Sequence, residues 1–210
     1  MELLLLAPHC DDEMAGLPLY FYLQRKGDVE LKILSFSPCK ETAQSLGYQK
    51  YTIAQEEQAA LFSIGVPSKN IRTFQFPVRR FSEHRQAILE ELIKVRTDFS
   101  PDIVLAPNSS DVHQDHQVVH NEVLRCFKNN ATIFGWTYPW NTFCEENNVF
   151  FELDESMIKK IIAFCACFKT QKQKRYMQED FIRASFTTTG IKVGKLYAAG
   201  YQCIRFRGVL

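Results

Sequence analysis

Twenty-five basic and 24 acidic side chains in 210 residues leave a formal charge of +1, a balance without the broad basic field that nucleic acids select. The length suits a single domain, 1–210, with a substantial core. Seven cysteines without paired spacing, no window near the ~20 apolar residues of a membrane span, and an opening leucine run without a basic leader together indicate a reduced, cytoplasmic protein.

Residues 3–7 form an unbroken apolar run, as expected for a strand buried on both faces. Helical spacing follows over 15–26, closed by Gly27 as a C-cap, before a second strand-like run at 31–36. The next helix is expected over 51–64, ending at Gly65, with Ala54, Gln58, Leu61 and Phe62 on its apolar face. A strand at 71–76 leads to a helix over 82–96, with Ser82 as N-cap and Ile88, Leu89, Leu92 and Ile93 as an inward stripe. Strands at 103–106 and 132–136 flank a helix over 116–127. The remainder carries strands at 149–153 and 203–206 and helices over 157–168 and 172–184, with no Pro/Gly/Ser linker to divide it. Strands alternating with crossover helices imply an α/β fold with a mostly parallel sheet covered on both sides. Ligands in such folds bind beyond the carboxyl ends of the strands. The loops after the first, second and fourth strands should therefore open on one edge, bringing His9 and Asp12 toward His113 and His116.

Two imidazoles and a carboxylate make a common catalytic zinc site with a fourth position left open. In the first loop His9 and Asp12 can turn toward one point as ligands, leaving Asp11 free to take a proton from water there. Glu13 suits the positive end of the following helix. In the second loop spacing alone does not separate His113 from His116. If His116 opens the helix and binds metal, His113 can face the substrate. Asp115 could then hold the imidazole of His113 cationic or in a fixed tautomer. His120 lies one turn past His116, where packing is the more common role. The stretch 111–116 also has some likeness to metallo-β-lactamase signatures, but that fold needs a downstream histidine ligand and none follows His120.

Pro8-His9-Cys10-Asp11-Asp12-Glu13 together with His113-Gln114-Asp115-His116 resembles the zinc-dependent N-deacetylases of the PIG-L/LmbE family, whose first motif usually reads P-H-P-D-D-E. Tyr138-Pro139-Trp140-Asn141, Lys159-Lys160-Ile161 and Thr170-Gln171 are similar to a bacterial branch associated with surface-sugar biosynthesis. The resemblance implies a Rossmann-like three-layer α/β/α sheet and Zn(2+) held by His9, Asp12 and His116. It implies Asp11 as general base, and His113 as electrophilic or acid partner. The implied reaction removes an acetyl group from an N-acetylated amino sugar, free or linked to a nucleotide or lipid. Arg79 and Arg80 could meet phosphate, Trp140 could stack on a sugar face, and Gln171 is the remaining candidate for substrate contact. Three departures stand out: Cys10 replaces the usual proline, Ile53 stands where many members carry an arginine before the glutamate matched to Glu56, and Ala198-Ala199 replaces an Ala-Glu pair. They leave open the identity of the sugar and a non-catalytic role in which the same cleft binds a sugar or partner. Iron or cobalt would suit the same ligands, and assembly into oligomers stays open.

Overall fold

Leu3, Leu4, Leu5 and Leu6 are all fully buried in the computed structural model, which describes residues 1–144 and 146–208. They lie on β1 (Glu2–His9) and alternate in direction: Leu3 and Leu5 join one core, Leu4 and Leu6 a second core on the opposite face. A continuous apolar run is what a strand covered on both sides requires. Beside it lie β2 (Glu30–Ser37) and, at the edge, β3 (Ile71–Thr73); on its other side are β4 (Ile103–Pro107) and β5 (Thr132–Trp136). Then come β7 (Tyr197–Arg205) and β6 (Val149–Leu153), giving the order β3-β2-β1-β4-β5-β7-β6. The first five strands are parallel, and β7 runs antiparallel to both β5 and β6.

The helices fill both faces, as the alternation of elements predicts. α1 (Glu13–Lys26), α3 (Thr52–Ser63) and α6 (Glu155–Ala166) supply one core, with the short α2 (Lys40–Ser45) and α7 (Glu179–Lys192) beside it. α4 (Arg85–Phe99) and α5 (Gln114–Phe127) cover the other. No helix among the described residues is long and apolar enough to cross a membrane.

Several local expectations are corrected. Ser82 does not cap α4: residues 81–84 form a 3-10 turn and the α-helix begins at Arg85. Gly27 sits at the C-cap of α1 with extended rather than left-handed backbone, whereas Gly65 does take φ +86°. The buried face of α3 is Ile53, Ala54, Glu57, Ala60 and Leu61, while Phe62 is 79% exposed. Val95, rather than Ile93, completes the stripe of α4. β3 stops at Thr73, although the amides of Phe74 and Phe76 still donate to Ser35 and Phe36. β7 begins six residues before the expected strand. The last helix starts at Glu179 after two 3-10 turns, because residues 172–178 bend around the cleft described next.

A candidate metal centre at the carboxyl edge

β1 ends at His9, opposite Ser37 at the end of β2, and β4 ends at Pro107 on the same edge. The tight turn 9–12, closed by Asp12 N–H to the His9 carbonyl, brings Asp12 back beneath the His9 ring. α5 begins close by and delivers His116. The three candidate ligand atoms form a nearly equilateral triangle: His9 Nδ1 to Asp12 Oδ2 is 3.2 Å, His116 Nε2 to Asp12 Oδ2 3.3 Å, and His116 Nε2 to His9 Nδ1 3.3 Å. Tetrahedral zinc with bonds of about 2.0–2.1 Å has edges of about 3.3–3.4 Å. The residues present therefore fit zinc. Two basic nitrogens and a carboxylate oxygen are also the right donor set.

Each histidine is oriented from behind. His116 Nδ1 lies 2.8 Å from Oδ2 of fully buried Asp111, and His9 Nε2 lies 2.9 Å from Oδ2 of fully buried Asp115. These are the carboxylate–histidine pairs that fix a ligand's tautomer and ring plane. The expected role for Asp115 is thereby corrected. Its carboxylate serves His9 and accepts the N–H groups of Arg79 (2.6 Å) and Phe81 (3.2 Å). Only its backbone N–H meets His113, donating to Nδ1 at 3.2 Å. A second His/Asp grouping, His9 with His113 and Asp115, also lies within metal reach, but those backbone donors already occupy Asp115. His113 is the N-cap of α5, which starts two residues earlier than periodicity suggests. With Nδ1 accepting a proton-bearing amide, His113 is neutral and presents Nε2–H to the cleft. Burial, His116 and His9 push its pKa down to about 4, in keeping with a neutral ring. Burial disfavours charge on the other two imidazoles as well. Hydrogen bonds to Asp115 and Asp12 nevertheless lift His9, and the Asp12 charge and the Asp111 hydrogen bond lift His116 to about 8.

Asp11 is the strained member of the loop, with φ 146°. Its backbone N–H donates to Glu13 Oε2 at 3.0 Å. Burial, then the neighbouring charge of Asp12, pushes its carboxyl up to about 7, against the pull of Lys174, His9 and His116. Glu13 does more than start a helix. It is fully buried, and the Ser35 hydroxyl lies between its other oxygen and Glu57 of α3, with one proton to share between the two acceptors. Glu57 also receives the Cys10 thiol at 3.0 Å. Burial first, and then Cys39 and Glu57, pushes that thiol far up, so Cys10 stays protonated as a donor. Glu57, which the sequence left unremarked, is thus the α3 glutamate beneath the loop; Glu56 instead binds Thr170. His120 packs with Nδ1 on the Pro107 carbonyl (2.9 Å), outside the ligand triangle.

The cleft over the triangle has a volume of about 210 Å³ and is bounded by Arg79, Tyr138, Trp140, Gln171, Lys174 and Tyr176, among others. Gln171 is 2% exposed with Oε1 unpartnered, so a ligand donor would satisfy it. Arg79 reaches the cleft. Arg80 does not: it is exposed and paired with Glu83 at 3.1 Å. Trp140 cannot stack on a sugar, because Tyr138 (4.4 Å, 17°) and Tyr176 (4.3 Å, 14°) cover its two faces. Tyr138 entered the sequence reading only within Tyr138-Pro139-Trp140-Asn141 and without a role, and Lys174 and Tyr176 were given none.

The family model for the GlcNAc-PI de-N-acetylases, PIG-L, matches residues 4–127, which contain both ligand loops. A sequence comparison with curated proteins finds no match. Among solved structures, the zinc-inhibited form of teicoplanin deacetylase superposes with a TM-score of 0.75 at 13% identity, over 96% of each chain. N,N'-diacetylchitobiose deacetylase from Pyrococcus horikoshii gives 0.69 at 18% identity, over 96% of this chain and 82% of that one. The 4-carboxy-2-hydroxymuconate hydratase GalB from Pseudomonas putida gives 0.72 at 16%, over 100% and 98%. At such identities the likeness shows the fold, and a fold that houses a hydratase beside deacetylases does not choose the reaction.

Proposed function

Since the chain belongs to the GlcNAc-PI de-N-acetylase (PIG-L) family, we propose that it is a metal-dependent hydrolase that removes the acetyl group from an N-acetylated amino sugar. The observation that carries this reading is the ligand triangle with a free, strained carboxylate next to it. His9, Asp12 and His116 would hold zinc, which when bound would polarise the amide carbonyl and acidify water. Asp11, adjusted toward neutrality, takes the proton of the attacking water and returns it to the leaving nitrogen as the C–N bond breaks. Water is thereby divided between acetate and the free amine. The Nε2–H of His113 donates to the carbonyl oxygen as negative charge develops there. Gln171 and Arg79 contact the sugar. Two structural neighbours, a teicoplanin deacetylase and a chitobiose deacetylase, support the substrate class. The chain acts as one domain, in the cytoplasm.

The test is acetate release by zinc-loaded protein from a panel of free, nucleotide-linked and lipid-linked N-acetyl sugars, with Asp11→Asn as control. Turnover of at least one sugar by the wild type and its loss in the variant is expected. Zinc retention without turnover of any sugar above the variant's background would overturn the reading.

A further inference from the structure

The peptide unit between Cys10 and Asp11 is pinned at both ends. On the Cys10 side the thiol reaches Glu57 Oε2 at 3.0 Å and the Ser37 carbonyl at 3.1 Å. On the Asp11 side the N–H donates to Glu13 Oε2 at 3.0 Å. The other oxygen of Glu13 lies 2.9 Å from the Ser35 hydroxyl, whose second neighbour is Glu57 Oε1. Both anchors therefore lead to one carboxylate on α3, a helix that supplies no residue to the metal cleft.

Glu57 is out of place as a packing residue. Its companions on the buried face of α3 are Ile53, Ala54, Ala60 and Leu61, and it is itself fully buried. A carboxylate in such surroundings is costly unless several donors meet it. Glu122, equally buried on α5, is met by two arginines, Arg85 and Arg125. Glu57 has instead the Cys10 thiol, the Ser35 hydroxyl and, at 3.4 Å, the Thr73 hydroxyl. The side chain thus ties α3 to β2, to β3 and to the loop after β1. An aliphatic residue would pack at this position without the cost of burying charge. It could not hold the loop.

We infer that Glu57 is a positioning residue for the base: from beneath the loop it fixes the Cys10–Asp11 peptide and so aims the Asp11 carboxylate into the metal cleft. The role presupposes the deacetylase reading above and deepens it. Asp11 needs such a hold, because φ 146° persists at a residue with a side chain only where the surroundings over-determine it. Cys10 contributes what a proline in its place could not, a side-chain donor that reaches the α3 carboxylate.

Zinc-loaded, full-length variants are assayed for acetate release on the panel of N-acetyl sugars above, and exchange of the Asp11 amide is followed by NMR. At saturating zinc, Glu57→Ala should lower kcat about 10²-fold, the cost of a misplacement near 1 Å, with KM unchanged. Glu57→Gln keeps an acceptor for the Cys10 thiol and should restore most of kcat. In an Asp11→Asn background Glu57→Ala should cost nothing further, because its effect runs through that carboxylate. A residue that only stabilises the fold would lower both backgrounds alike. Should Glu57→Ala not fold, Ser35→Ala cuts the same chain closer to the loop and carries the same expectations. An unchanged kcat, or an equal loss in the Asp11→Asn background, overturns the role. The amide readout does not depend on turnover: exchange at Asp11 should quicken about tenfold in Glu57→Ala, the equivalent of one lost hydrogen bond. Exchange as slow as in the wild type overturns the hold on the loop whatever the activity. Faster exchange in a protein that turns over no sugar leaves that hold standing and sinks the deacetylase reading alone.

Discussion

His9 Nε2 and Asp115 Oδ2 meet at 2.9 Å across 106 positions of sequence, tying the end of β1 to the first turn of α5. The same carboxylate holds the turn at Arg79 and Phe81, so one buried group orients a metal ligand and anchors a cleft wall. Asp115→Asn turns a donor toward these partners, and zinc affinity should fall 10- to 100-fold in competition with a chelating dye. Unchanged affinity would mean the His9 ring is fixed by something else.

Asp11→Asn should retain zinc and lose 10²- to 10⁴-fold in kcat. The base works only when ionised, so wild-type kcat/KM should fall as pH drops through the carboxyl's pKa. Without metal that value is about 7, set by burial and then by Asp12; a bound cation favours the carboxylate and moves the limb lower. The variant's residual activity should lack this limb. A limb that persists in Asp11→Asn assigns it to another group.

Zinc must displace protons from the lifted imidazoles. Burial notwithstanding, Asp12 and Asp111 raise His116 to about 8, and hydrogen bonds to Asp115 and Asp12 lift His9 well above its usual value, so affinity should still be rising as pH passes through about 8. Calorimetry in buffers of different ionisation enthalpy would show proton release at pH 7. Zero net release would contradict the protonated state of the empty triangle.

Glu13→Ala removes the acceptor for the Asp11 amide and the Ser35 hydroxyl. The Ser35 hydroxyl keeps Glu57 as its acceptor, so the Asp11 amide is the orphaned donor, at a cost of about 1–3 kcal/mol, and Asp11 loses the bond that holds its strained backbone. Stability and kcat should both fall while zinc stays bound, and Glu13→Gln, which keeps a carbonyl acceptor, should restore most of kcat. Equal loss in both variants would point to the carboxyl charge instead of the hydrogen bond.

Much of this site could be read along the chain because its ligands sit where strands stop. The apolar runs of β1 and β4 end at His9 and Pro107, and parallel strands put both ends on one edge. What escaped depends on reach across space. Asp111 lies in the loop before α5, yet its place behind His116 follows from how that loop closes, with a backbone bridge to Thr142. Glu57 gave no sign that α3 would turn a carboxylate inward. The expected partnership of Asp115 with His113 failed by two residues of helix: starting α5 at Gln114 places Asp115 in the first turn, facing His9. Trp140 carried the residue type for sugar stacking but not the knowledge that two tyrosines would flank it.

β1 has a hydrogen-bonded neighbour on each side and a helical layer on each face. Its amide protons should be among the last to exchange with solvent, since exposing them requires opening the molecule as a whole. The cage that begins at its final residue therefore has no cheap local breathing mode through which to shed an ion. Metal exchange would be timed by ligand substitution from the open side of the cleft, on a clock separate from that of unfolding.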